Sequence, residues 1–180
     1  MKTYKTLVSA VVLAGAALGS QAALADDISK APEAIALDGG TSFFGALFTG
    51  NNAGNTFMDQ YSFTAASAST FSADLLSFSG VAKNGLDITG FDLYSSTGLL
   101  LGGAQLSTGA SDMWSLSGPT LAAGDYYLQV TGTVMSQAAG KYYADVALAP
   151  VPEPETYAMM LGGLGMLGFM ARRRKAAPKA

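Results

Sequence analysis

The chain is 180 residues long, 49% apolar and 13% charged, with no cysteine and no histidine. That size allows one domain with tails, and the two missing residue types exclude disulfides, thiolate nucleophiles, Cys/His zinc sites and every triad with an imidazole base. The formal charge of −3 conceals an asymmetry: residues 26–150 hold eleven acids and three bases, a net charge of −8, and an acidic centre argues against nucleic acid as a partner.

Residues 1–25 read as a secretory signal peptide and its helix. Lys2 and Lys5 form a positive n-region, Leu7–Leu18 an apolar h-region, and Ala23-Leu24-Ala25 the small-residue cleavage pattern. Cleavage is expected between Ala25 and Asp26, with Ala22 as a second cut site. An uncleaved anchor is the competing reading, and the shortness of the h-region speaks against it. This route engages the secretion translocon and signal peptidase. Residues 26–40, with Pro32 and Asp38-Gly39-Gly40, read as a flexible lead-in.

From there the chain breaks into short runs rich in Phe, Tyr, Val, Leu, Ser and Thr, separated by Gly, Asn, Asp or Ser. Predicted strands are Ser42–Thr49, Phe57–Ala65, Thr70–Ser79, Leu86–Ser95, Leu99–Leu106, Met113–Ser117, Gly124–Val134 and Lys141–Ala149. Alternation supports them: Tyr126, Leu128 and Val130 share one face, Tyr127, Gln129 and Thr131 the other. No sustained 3.6-residue apolar stripe appears. An antiparallel β-sandwich over residues 41–149 follows, long enough to bury one core without disulfides. Expected core residues are Phe57, Tyr61, Phe63, Phe71, Leu75, Phe91, Leu93, Trp114, Leu116, Tyr127 and Val146.

Residues 150–180 form the other end. Val151-Pro152-Glu153-Pro154 is a stiff, extended segment that cannot enter a helix interior. Residues 157–171 are apolar and predict a short transmembrane helix of about 22 Å. Arg172, Arg173, Arg174 and Lys175 open the basic tail 172–180 and act as a stop signal. The positive-inside rule places that cluster, like Lys2 and Lys5, in the cytoplasm, with 26–150 exported between them. A permanent tail anchor would look similar but has no need of Pro-Glu-Pro.

Pro152-Glu153-Pro154, a short apolar helix, an arginine cluster and the chain end together resemble the PEP-CTERM sorting signal. The resemblance implies an exported protein of a Gram-negative, exopolysaccharide-making bacterium. It implies processing by an exosortase, an integral-membrane, cysteine transpeptidase-like enzyme whose substrate this chain would be. Phe57, Asp59 and Tyr61 are similar to the F-x-D-x-F/Y motif of one subfamily, with a serine-rich strand following. Phe91-Asp92-Leu93-Tyr94 and Leu121–Tyr127 resemble bacterial pre-peptidase-type jelly-roll domains.

Catalysis needs a base, a nucleophile or a metal. The aspartates at 59, 74, 87, 92, 112, 125 and 145 are scattered, mostly beside turns, and no Ser-x-x-Lys, phosphate loop or calcium loop occurs. The expectation is a non-enzymatic surface or matrix protein with no cofactor, metal or catalytic residue. It would associate with exopolysaccharide or biofilm and reach the cell surface or medium after a transient inner-membrane stage. The alternative is a calcium-dependent carbohydrate-binding module, with Asp87 and Asp92, or Asp112 and Asp125, converging. Trp114 and the pairs Tyr126-Tyr127 and Tyr142-Tyr143 would supply stacking rings, one member of each pair facing outward. A hydrolase reading would need two carboxylates facing each other across a cleft. Asp59 itself reads as a strand-entry carboxylate accepting backbone N–H groups.

Overall fold

The computed structural model describes residues 25–79, 84–118, 120–137, 139–152 and 154–175. The expected signal helix, Glu153 and the end of the basic tail lie outside the described residues. The strands are β1 (Glu33–Ala34), β2 (Thr41–Phe48), β3 (Thr56–Ala65), β4 (Ser69–Phe78), β5 (Leu86–Ser95), β6 (Gly98–Gly102), β7 (Ala104–Ser107), β8 (Ser111–Ser117), β9 (Gly124–Val134) and β10 (Gly140–Pro150). One helix, α1 (Pro154–Lys175), follows. The protein is mostly β. Sheet A runs in the order β1-β3-β9-β5-β6 and sheet B in the order β2-β10-β4-β8-β7. All named pairings are antiparallel except β1 with β3.

Two-residue periodicity decides which side chains enter the core. In β3, Phe57, Asp59, Tyr61, Phe63 and Ala65 are buried, while Met58, Ser62 and Thr64 point out. β4 and β10 alternate the same way, so each sheet offers one apolar face. The two faces meet through aromatic pairs: Phe44 on Tyr61 at 4.2 Å, Phe48 on Phe57 at 4.5 Å and Phe63 on Phe71 at 6.0 Å between ring centroids.

The predicted strands Leu86–Ser95 and Gly124–Val134 are found with those bounds. The run Leu99–Leu106 instead divides at Gly103: β6 stays in sheet A beside β5, and β7 joins β8 in sheet B. A Cβ on Gly103 would lie 2.3 Å from the Phe91 carbonyl oxygen, so the chain turns this corner backbone to backbone. Two expected core residues are displaced. Tyr127 faces outward on sheet A and stacks on Tyr94 at 4.9 Å, the inner face being taken by Leu128 and Val130. Trp114 is only partly buried, and its indole N–H has no acceptor among the described residues.

The segment 26–40 is not a free lead-in. It lies along β3 and covers that edge: Asp26 O accepts from Thr56 N at 3.0 Å, Ile28 N donates to Thr56 O at 2.9 Å, and Ile35 N donates to Ser62 O at 2.8 Å. Part of its polar backbone is thereby satisfied, and Ile28, Ile35 and Leu37 pack on the core.

The transmembrane expectation for 157–171 also needs correction. No helix among the described residues is long and apolar enough to cross a membrane. Helix α1 has 22 residues, but only 15 of them form the apolar run between Glu155 and Arg172, four being glycine. A hydrocarbon core of about 30 Å calls for about 20 apolar residues. With it falls the direct support for a transient inner-membrane stage. The helix is exposed wherever its side chains are described.

Candidate functional site

The residues of the Phe57/Asp59/Tyr61 motif stand together on the inner face of β3, Phe57 at its second position and Asp59 and Tyr61 further along it. The Tyr142 hydroxyl, from β10 in the opposite sheet, donates to Asp59 Oδ2 at 2.6 Å. Tyr61 and Tyr142 hydroxyls are 2.8 Å apart. Lys30 donates its backbone N–H to Asp59 Oδ1 at 2.8 Å, and its ammonium to Tyr61 Oη at 3.4 Å and to the Gly45 carbonyl of β2 at 3.0 Å. Because Tyr142 donates to the carboxylate, it must accept from Tyr61, which accepts from Lys30. One directed chain of hydrogen bonds thus ties the N-terminal strap to both sheets. Phe57 completes the unit, stacked on Tyr142 at 5.8 Å.

Burial pushes the Tyr142 hydroxyl far above the ordinary phenol range, and its bonds to Asp59 and Tyr61 act in the same direction. Burial also raises Tyr61, against the lowering influence of Tyr142 and Lys30. For Lys30, burial opposes the charge, but Tyr61, Glu33 and Asp59 outweigh it and hold the ammonium above its usual value. Asp59, Tyr61 and Tyr142 are each at most 2% exposed. They offer no surface to a ligand; the motif clasps the fold.

An accessible site lies elsewhere, on the outer face of sheet B. Phe43, Leu76, Leu106, Met113 and Tyr143 line a groove of about 420 Å³ there, together with Asp74 and Asp145. The two aspartates are direct cross-strand neighbours on β4 and β10. Partial burial, then the Asp74 carboxylate, raises the Asp145 pKa. A carboxyl raised on folding holds its proton more firmly in the native state than in the unfolded chain. The like-charge contact therefore costs stability above that raised pKa and nothing below the unfolded value. Asp145→Asn is expected to stabilise the protein by about 0.3 kcal/mol near neutral pH, given solvent screening. Thermal melts should show the gain vanish in acid. Side by side on one face, these carboxylates do not flank a bond from opposite sides, as glycoside hydrolysis requires.

The aspartates proposed as calcium pairs do not converge. Asp112 is buried in sheet B and accepts from Ile88 N and Gly109 N, both at 3.1 Å. Asp125 is in sheet A and accepts from Thr64 Oγ1 at 2.7 Å. Asp87 and Asp92 pair with Thr133 and Gln129, about 13 Å apart along β9. Among the described residues no group of three or more His, Cys, Asp or Glu could hold a metal ion. Of the paired tyrosines, Tyr142 is buried and Tyr143 is outward.

The sequence singled out Asp59 but not its partners. Lys30 was visible as one of three bases in residues 26–150. Tyr142 stood out only as half of a tyrosine pair; nothing local marks it as a partner of Asp59, 83 residues away, or signals the meeting of Asp74 with Asp145.

At the chain ends, Ala25 is exposed, and Asp26 N donates to Asn55 Oδ1 at 3.1 Å. The expected signal-peptide cut thus falls just before the first of the described residues with a bond to the fold. Val151 N donates to Ala68 O at 2.9 Å. Pro152 is exposed, and Pro154 opens α1, where a missing N–H costs nothing. Glu155 sits in the first turn, near the positive end of the helix dipole. The Arg173 guanidinium lies 5.9 Å from the Phe169 ring. Arg172 is exposed.

Residues 150–175 match the PEP-CTERM protein-sorting motif. This implies an exported protein sorted to the cell envelope by an exosortase. No curated protein matches the chain. Among solved structures, it is similar to the pre-peptidase C-terminal domain of a Bacillus anthracis collagenase, at 19% identity and a TM-score of 0.39, covering 65% of this chain and 95% of that one. It is also similar to PliG of Aeromonas hydrophila, a periplasmic inhibitor of g-type lysozyme, at 15% identity and a TM-score of 0.35, covering 68% and 98%.

Proposed function

We propose that this chain is a non-enzymatic exported protein, processed by signal peptidase between Ala25 and Asp26 and by an exosortase at Pro152-Glu153-Pro154. Its β domain, read as a jelly-roll-like sandwich, then remains at the cell surface or in the matrix in association with exopolysaccharide. The observation that carries the reading is the sorting-motif match at 150–175, on a segment that leaves the sheets directly after Val151. Among the described residues the last backbone bond to the domain is that of Val151, and Pro152 and the described part of α1 are exposed. A processing enzyme draws its substrate peptide into an extended form, and the two prolines bias the segment beyond the last strand toward that form.

Deleting Pro152–Pro154 in an exosortase-bearing host tests this. The expected result, read by immunoblot of cell fractions, is accumulation of a precursor that keeps its C-terminal segment and loss of the released form. Unchanged release would contradict sorting through that motif.

A further inference from the structure

We propose that the outer face of β2, β10 and β4 is a binding platform for a neutral polysaccharide chain, whose rings stack on Phe43, Tyr143 and Phe78 and whose hydroxyls donate to Asp74 and Asp145. This deepens the exopolysaccharide association proposed above and rests on it. Tyr143 stands opposite Gly45 on β2 and Leu76 on β4. Phe43 is two residues from Gly45, and Phe78 two residues from Leu76 in the opposite sense along the strands. The three rings therefore lie on one diagonal across three strands, about 15 Å long by the usual diagonal spacing. All three are exposed, Phe43 at 80%, Tyr143 at 46% and Phe78 at 61%; the Lys141 ammonium, at the next outward position of β10, lies 5.9 Å from the Tyr143 ring centre and swings aside for a sugar to stack there. Side chains of this size left outward on one sheet face mark an interaction surface rather than a folding need.

Charge selects the occupant. Asp74 and Asp145 are acceptors only, and no ion pair between them and a cation is found among the described residues. Their partner must bring donors to an apolar surface. Against the two carboxylates the face sets one ammonium, that of Lys141, so its charge stays negative and phosphate polymers, anionic lipid and uronic-acid chains are disfavoured. A neutral sugar chain brings apolar ring faces and hydroxyl donors together, and a row of aromatic rings beside carboxylates meets both. A basic, apolar peptide would suit the carboxylates but not the linear order of the rings.

The test uses the chain purified from the host envelope in whatever processed form it is found, so that binding is read independently of sorting. Calorimetric titrations with dextran, mannan and cellohexaose, and with alginate as the polyanion, are expected to show binding to at least one neutral chain and none to alginate. Tyr143→Ala is expected to weaken that binding about tenfold, and Phe43→Ala with Phe78→Ala to do so again. Asp74→Asn is expected to weaken it about fivefold. Binding should hold from about 50 mM to about 500 mM salt. All four side chains face outward from the sheet, and unchanged melting temperatures would confirm that each variant folds. Flat titrations with every neutral chain overturn the proposal, as does binding that ignores the ring substitutions. Salt-sensitive capture of a basic peptide such as oligolysine, in place of sugar, assigns the face to a protein partner and also overturns it. A correctly sorted protein with flat titrations removes this site and leaves the sorting reading intact; sugar binding by an unsorted chain does the reverse.

Discussion

Replacing Asp59 by alanine is expected to destabilise the protein by about 3 kcal/mol in urea unfolding. The carboxylate accepts from the Tyr142 hydroxyl and from the Lys30 backbone N–H inside a site that is 1% exposed. Its removal leaves the buried Tyr142 hydroxyl and the part-buried Lys30 N–H without their acceptor, and unpaired buried groups cost more than a hydrogen bond contributes when made. Tyr142→Phe should cost about 2 kcal/mol, since Asp59 keeps the Lys30 bond and the ring keeps its stacking on Phe57. Because both changes cut the same chain of donors, the double variant should lose less than the sum of the two. Full additivity would show that Lys30, Tyr61, Tyr142 and Asp59 do not act as one unit. Asp59→Ala should also loosen the strap, so hydrogen exchange at Ile28 and Ile35 should quicken more than at the β9 centre.

Gly103→Val is expected to cost about 3 kcal/mol, at the upper end of overpacking losses. The reason is backbone contact: the new Cβ would sit 2.3 Å from the Phe91 carbonyl oxygen and 3.4 Å from the Trp114 ring. No rotamer change relieves the first of these. The adjacent Gly102 is the control, because a Cβ there meets only Asp92 Oδ1 at 3.5 Å, an ordinary contact. Gly102→Ala should therefore stay within about 0.5 kcal/mol of the parent. A melting temperature for Gly103→Val equal to that of Gly102→Ala would show that the corner between β6 and β7 yields freely.

The sequence made these strands legible where alternation and turn residues coincide. Gly85 and Gly124 each open a run of alternating residues, and both runs were read with the bounds that form. Leu99–Leu106 carries Gly102-Gly103 between its leucines, a break signal that the reading of one continuous strand passes over; that the chain changes sheet there depends on how closely Phe91 approaches. β1 is two residues long and pairs in parallel with a strand far ahead in the chain, which no local pattern encodes. Tyr126-Tyr127 and Phe43-Phe44 are doublets whose phase apolarity alone does not settle. Tyr127 turned outward to meet Tyr94, and Phe43 outward beside the groove. Asp59 stood out in sequence, yet its role required Tyr142, brought opposite by the packing of the two sheets. The diagonal of Phe43, Tyr143 and Phe78 exists only once the register of three strands is set. The C-terminal segment was legible because it is a linear signal, read as a peptide and not as a surface.

The most direct test is the intact mass of the protein recovered from cell-surface and medium fractions of an exosortase-bearing, exopolysaccharide-making Gram-negative host. The expected species begins at Asp26 and lacks the segment after Pro154. A chain that still carries Tyr157–Lys175 and stays with the membrane fraction would contradict sorting by the exosortase, and with it the proposed function.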